Sequence, residues 1–141
     1  MSQVGTSAEE LSDAQLVAAM EELTLPKHAF RHRDHLRLAW LNLRQARSLE
    51  LAGEQFSQTL RKFAAHHGVP EKYHHTITMV WMRLIAAAMR LTPHVGDFTA
   101  FAMAHPFLFD VKLPWAFYSS EQLSSANART GWIEPDLHRL P

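Results

Sequence analysis

The sequence has 141 residues, no cysteine, and 14 basic residues against 14 acidic ones when histidine is counted as neutral. This length suggests a single domain. With 47% hydrophobic residues, including four Trp and eight Phe, the chain can bury a core. The balanced charge argues against nonspecific nucleic-acid binding, which needs a basic surface. Without cysteine, disulfides and thiol nucleophiles are excluded, and any metal would need nitrogen or oxygen ligands.

The N-terminus and the most apolar segment give no sign of export or membrane insertion. Residues 1–5 are polar and uncharged and no apolar region follows them, so we expect no signal peptide. The most apolar run, residues 77–91, contains Arg83 and Arg90 and is too short to span a bilayer. We therefore expect a cytoplasmic protein that binds neither membranes nor nucleic acids. Homodimers are common, although no heptad seam in the sequence indicates one.

Apolar residues at helical spacing predict three helices in the first half of the chain. The first covers about residues 7–24, where Ser7 and Glu10 have the spacing of a capping box. The second covers about 33–47 and the third about 49–67, with Gly68 as the natural residue after its end.

The second half continues the helical pattern. A fourth helix over about 74–91 is apolar on more than one face, which predicts the central helix of the fold. A fifth covers about 98–105. Residues 107–118 are aromatic and proline-containing, and we expect them to be irregular. A last helix begins at Ser119 or Ser120 and ends near Thr130, and residues 131–141 form an extended tail.

These elements predict an all-α fold, a compact single-domain bundle of about five or six helices with the C-terminal tail packed on it. The N-terminal helix (about 7–24), a histidine-bearing core (about 28–118) and the last helix with the tail (about 119–141) would belong to one domain.

Three of the ten histidines have the spacing of a metal site. His32 and His35 are three residues apart at a predicted helix start, where Cβ atoms on one face are roughly 5–6 Å apart. Two such imidazoles can each reach one ion at about 2.0–2.1 Å. His74 begins another helix, so the three would join two helices through one ion. The alternative is that His32 caps its helix, His35 is a partly buried polar residue, and His74 or His75 fills a helix junction.

Other residues were assigned to the site by chemistry. Tyr73 and Asp110 are candidate catalytic groups, because Tyr73 precedes His74 and Asp110 is a single acid in an apolar run that needs a partner if buried. The fourth metal ligand would come from four residues: His105, Asp110, Glu134 and Asp136. The substrate pocket would be lined by aromatic residues: Trp40, Trp81, Phe117 and Tyr118.

Four short motifs carry a resemblance. The chain resembles a family of small, uncharacterised bacterial all-helical proteins in these motifs: Phe30-x-His32-x-x-His35-Leu36, Lys72-Tyr73-His74-x-Thr76-Ile77-Thr78, Phe117-Tyr118-Ser119 and Glu134-Pro135-Asp136-Leu137. The resemblance implies that the three histidines act as a unit, but it implies no activity. In helix class and histidine count the chain is also similar to DinB-like metal-binding bundles, although the histidine spacing departs from theirs.

These features favour a metal-dependent enzyme that acts on a small organic substrate. Three neutral histidines and a water suit zinc and hydrolysis, whereas two histidines, a carboxylate and open positions suit non-haem iron(II) and oxygen chemistry. The alternative is a non-catalytic helical module that binds a small molecule or a protein partner, with the aromatic segment 107–118 as its surface. A third possibility is a structural domain whose histidines form a pH-sensitive polar network.

Overall fold

The computed structural model describes residues 7–141, and within that range it contains seven α-helices and no strand. In chain order the helices are α1 (Asp13–Glu21), α2 (His32–Gln45), α3 (Leu49–His66), α4 (His75–Leu91), α5 (Phe98–Ala104), α6 (Ser120–Leu123) and α7 (Ala126–Thr130). Five 3₁₀ turns connect or precede them, at Ala8–Glu10, Lys27–Ala29, Pro70–Lys72, Pro106–Phe109 and Leu113–Ala116. The predicted all-α bundle is confirmed. Residues 1–5, on which the signal-peptide prediction rests, lie outside the described residues.

The core forms where α2, α3 and α4 pack against one another. The face of α4 that carries Val80, Leu84 and Ile85 is buried, as its apolar spacing predicts. Because α4 also contacts α7, it is the central helix of the bundle. Nowhere in residues 7–141 is a helix both long and apolar enough to cross a lipid bilayer.

The N-terminal helix is shorter than predicted, and the predicted capping box is wrong. Ser7 makes no side-chain cap, and the chain is extended again at Leu11 after a single 3₁₀ turn. The box forms at the next serine instead: Gln15 N–H donates to Ser12 Oγ at 3.1 Å, and Ser12 N–H donates to Gln15 Oε1 at 2.9 Å. A start at this point places Leu16 and Met20 one turn apart, and both are fully buried.

The predicted last helix is two short helices. Ser119 caps α6 and Ser125 caps α7, each accepting a backbone N–H bond at 3.1 Å. Serine side chains compete with the helical ladder for backbone groups. Ser125 also donates to Gln122 O, so the chain turns between the two helices instead of continuing as one.

The tail packs on α4, as predicted. Thr76 Oγ1 donates to Gly131 O at 2.6 Å and accepts from Ile133 N–H at 3.3 Å, and the Arg83 guanidinium lies 4.6 Å from the centre of the Trp132 ring. Leu137, in contrast, is half exposed.

Candidate functional site

A cavity of about 650 Å³ lies between α2, α3 and α4, and we call it the central cavity. Its apolar lining consists of Phe30, Leu36, Phe56, Leu60, Phe63, Ala64, Val69, Ile77, Trp81 and Ile85. Its polar lining consists of Lys27, His28, His32, His35, Lys72, Tyr73, His74 and Thr78. All three histidines of the predicted metal site therefore reach the same cavity.

The first turn of α2 places two of these histidines, His32 and His35, at the central cavity. Asp34 accepts the N–H of Arg31 through Oδ2 at 2.9 Å, which fixes the first turn of the helix. The spacing of three residues then places His32 and His35 on the cavity side. Burial raises the pKa of Asp34, and its second oxygen, Oδ1, is buried without a partner in the described residues.

His32 is held by one long-range hydrogen bond. Its Nε2 lies 2.9 Å from Leu108 O, and since a carbonyl only accepts, Nε2 must carry the proton. The ring also meets Trp81 edge to face, with 4.7 Å between the ring centres. In the neutral imidazole, Nδ1 of His32 is then an acceptor that has no partner within residues 7–141.

The side chain of His35 stacks on an aromatic ring. Its ring lies on Phe30 with 4.0 Å between centres and 28° between planes, and neither ring nitrogen is hydrogen-bonded to any group in residues 7–141. Burial and the neighbouring charge of His32 lower the pKa of His35 to about 4. His35 is therefore neutral at physiological pH, with one donor and one acceptor available to whatever occupies the cavity.

His74, unlike His35, uses both ring nitrogens in hydrogen bonds within the protein. It is the N-cap of α4, where its Nδ1 accepts the N–H of Ile77 at 3.1 Å. Its Nε2 donates to Leu123 O at 2.7 Å, and the side chain is buried. Both ring nitrogens are used, so His74 could bind a metal only after losing one of these bonds. Across residues 7–141, no group of three or more His, Asp or Glu side chains is arranged to hold an ion.

Tyr73, a predicted catalytic residue, lines the central cavity and belongs to a hydrogen-bonded chain. Its hydroxyl lies 2.7 Å from Ser57 Oγ and 2.8 Å from His75 Nδ1. Arg61, which can only donate, is 3.5 Å from the same Nδ1, so this nitrogen is the acceptor and Tyr73 donates to it. Burial, followed by the charge of Arg61, lowers the pKa of His75, which favours this neutral form.

The hydrogen-bonded side chains of Ser57 and His75 also line a second cavity of about 480 Å³, which we call the side cavity. Arg61 lines it as well, together with Trp132 from the tail. Tyr73 thus stands between the two cavities, with its hydroxyl held by residues that line the side cavity.

The remaining predicted site residues lie elsewhere. Trp81 lines the central cavity, but Trp40, Phe117 and Tyr118 line neither cavity. Trp40 is fully buried against Phe98 and Phe101. Burial and the charge of Glu134 raise the pKa of Tyr118 to about 12, and its hydroxyl donates to Ile133 O.

None of the candidate fourth ligands lines the central cavity, and each makes a hydrogen bond elsewhere in the structure. Asp110 is exposed and accepts from Lys112 N–H, and His105 lies 2.9 Å from Thr92 Oγ1. Glu134 accepts from Trp132 Nε1, and Asp136 accepts from Ser119 N–H.

Three contributors were missed from the sequence: Phe30, Ser57 and Lys72. Lys72 carried a signal, because it lies in a short turn just before a histidine-bearing helix start. Ser57 carried none, since a serine in the middle of a helix most often faces solvent.

No protein-family model, curated protein or solved structure matches this chain. The resemblance to small bacterial helical proteins and the analogy to DinB-like bundles therefore stay predictions. The function is argued below from the geometry of the central cavity.

Proposed function

We propose that this protein binds a small, largely apolar organic molecule in the central cavity and that His35 makes its main polar contact. One observation carries this proposal: His35 lines the cavity and spends neither ring nitrogen on the described part of the protein. A partly buried imidazole loses hydration and needs a partner in return. A ligand in the cavity would supply it.

The shape and lining of the cavity support the same function. Small-molecule sites typically measure about 300–1,000 Å³, with mostly apolar walls and a few polar groups that orient the ligand. The central cavity, at about 650 Å³, has ten apolar lining residues and eight polar ones, which include His35 and Tyr73. Most of its lining residues belong to the packed helices α2, α3 and α4, so the fold itself shapes the cavity.

The pKa of His35 favours binding over acid–base catalysis. A general base works best when its pKa is near the working pH. At a pKa of about 4, His35 takes a proton too weakly to act as an efficient base at neutral pH. It can still donate one hydrogen bond and accept another.

A metal-dependent enzyme is the second candidate. It would use His35 together with the free Nδ1 of His32, since these imidazoles share one cavity and a metal needs neutral nitrogen. Exogenous ligands would have to complete the coordination. Equilibrium dialysis against zinc and iron(II), followed by elemental analysis, measures this directly. About one tightly held equivalent that is lost in His35→Phe would favour the enzyme.

Binding is tested with N-phenylnaphthylamine, an uncharged dye whose fluorescence rises in apolar surroundings. We expect saturable binding of one equivalent. The variant Ile77→Trp, which fills the cavity, should abolish it, and Val69→Trp does the same from another wall. His35→Phe keeps the stacking on Phe30 and removes only the nitrogens, so affinity should fall about fivefold.

The control is Trp115→Ser, which alters an exposed aromatic residue outside both cavities. It should leave the titration unchanged. If both filling variants fold, as judged by circular dichroism, and still bind the dye as wild type does, the central cavity is not the site and the proposal fails.

A further inference from the structure

We infer that the ligand of the central cavity is an organic anion: a monocarboxylate whose apolar body lies among the helices and whose charged group lies at the mouth, between Lys27 and Lys72. This inference rests on the proposed function and adds the chemical class of the ligand. It comes from the formally charged residues that line the cavity, which are both lysines.

The lining contains two lysines and no aspartate or glutamate. Lys27 and Lys72 are exposed, so they lie at the solvent end of the cavity. Neither forms an ion pair within residues 7–141. Low-dielectric walls focus the potential of such charges into the cleft, which raises the local concentration of anions and repels cations.

The two lysines occupy equivalent positions, each in a turn that precedes a long helix. Lys27 is in the 3₁₀ turn before α2, and Lys72 is in the 3₁₀ turn before α4. Both helices begin at the cavity, because His32 is the first residue of α2 and His74 is the N-cap of α4. The positive ends of two long helix dipoles therefore add to the charge of the lysines.

The nearby acids do not cancel this charge. Asp34 does not line the cavity, and it is buried with one oxygen on the N–H of Arg31. Glu71 is next to Lys72 in the chain, but it is exposed, makes no ion pair with any residue of 7–141 and does not line the cavity.

The body of the ligand must be apolar, since the deeper wall consists of residues such as Phe56, Leu60 and Ile85. One charged group suffices, because only the mouth carries charge and the neutral His35 provides hydrogen bonds below it. Aryl carboxylates and medium-chain fatty carboxylates fit both requirements.

The test uses two dyes that differ by one charge. Anilinonaphthalene sulfonate is N-phenylnaphthylamine with a sulfonate group, so the pair reports the contribution of the anion. At low salt we expect the sulfonate to bind about tenfold more tightly than the neutral dye. The double variant Lys27→Gln/Lys72→Gln should remove that difference and change neutral-dye binding less than twofold.

The matched control is Lys62→Gln/Lys112→Gln, which removes the same charge from exposed lysines that do not line the cavity. It should keep the preference for the sulfonate. In wild type, octanoate should displace the neutral dye at about tenfold lower concentration than octanamide.

The outcomes separate the two proposals. If neither dye binds the central cavity, the proposed function fails. If the neutral dye binds there but the sulfonate has no advantage, or if the control pair removes the advantage equally, the function stands and the inference of an anionic ligand is overturned.

Discussion

His35 and His74 line the same cavity near the starts of neighbouring helices, yet they do opposite things. His74 gives one nitrogen to the first turn of α4 and the other to Leu123 O, whereas His35 gives neither to the described part of the protein. The first is a structural residue and the second is available to a ligand. The comparison teaches that hydrogen-bond accounting, not spacing along the chain, identifies which histidine of a cluster is free.

The largest expected effect is on stability, from His74→Ala. This variant removes the cap of α4 and leaves the buried Leu123 carbonyl without its donor. We expect a loss of about 3 kcal/mol in the free energy of unfolding, measured by urea denaturation.

His74→Asn is the control, because asparagine can still cap the helix but cannot reach Leu123. It should lose about half as much. A zinc-dependent rise in melting temperature that His74→Asn abolishes would contradict the structural role and support the predicted three-histidine site.

The next effect is the pH dependence contributed by His35. Its pKa is lowered from 6.5 to about 4 on folding, so between these values the unfolded chain binds the proton more tightly. The stability contribution is present above pH 6.5 and is lost as the pH falls toward 4. In His35→Phe, we expect about 2 kcal/mol of this loss in the free energy of unfolding to be absent. This is less than the full pKa shift corresponds to, because the ring contacts an open cavity.

Urea denaturation of wild type and His35→Phe at several pH values between 7 and 4 measures this difference. The phenyl ring has no proton to take up, so wild type should lose stability relative to His35→Phe as the pH falls, and the two curves should separate. Parallel curves would show that His35 is solvated and would weaken its assignment as the free ligand contact.

The smallest expected effect on stability concerns the hydrogen-bonded side chains of Ser57, Tyr73 and His75. Tyr73→Phe removes the central hydroxyl and should cost about 1 kcal/mol, as should Ser57→Ala. Because both variants break the same hydrogen bond, the double variant should cost clearly less than their sum. Additive losses in urea denaturation would show that Tyr73 and Ser57 do not interact, contrary to their 2.7 Å separation.

Sequence pattern predicted the long helices well. The third helix was placed at about 49–67 and lies at Leu49–His66, because its apolar spacing is regular and Gly68 follows it with a φ of 76°, which glycine tolerates. The N-terminal helix was misplaced because Ser7 and Ser12 both have the capping-box spacing, and burial of Leu16 and Met20 decides between them.

The site was less predictable. The spacing of His32 and His35 correctly indicated one helix face, since this follows from local geometry. The acceptors that hold His32 and His74 are backbone carbonyls 76 and 49 residues further along the chain. Any residue type can offer a carbonyl, so the sequence carries no sign of these bonds, and with them no sign that His35 is the histidine left free.

The start of α4 has a consequence for the order in which the molecule can form during synthesis. His74 bonds to Leu123, Thr76 bonds to Gly131, and Arg129 donates to the carbonyl of Glu71. All three partners are made after α4, so the ribosome must translate some forty further residues before this end of the helix is satisfied. The wall of the central cavity at His74 is therefore among the last parts of the fold to be completed on a newly made chain.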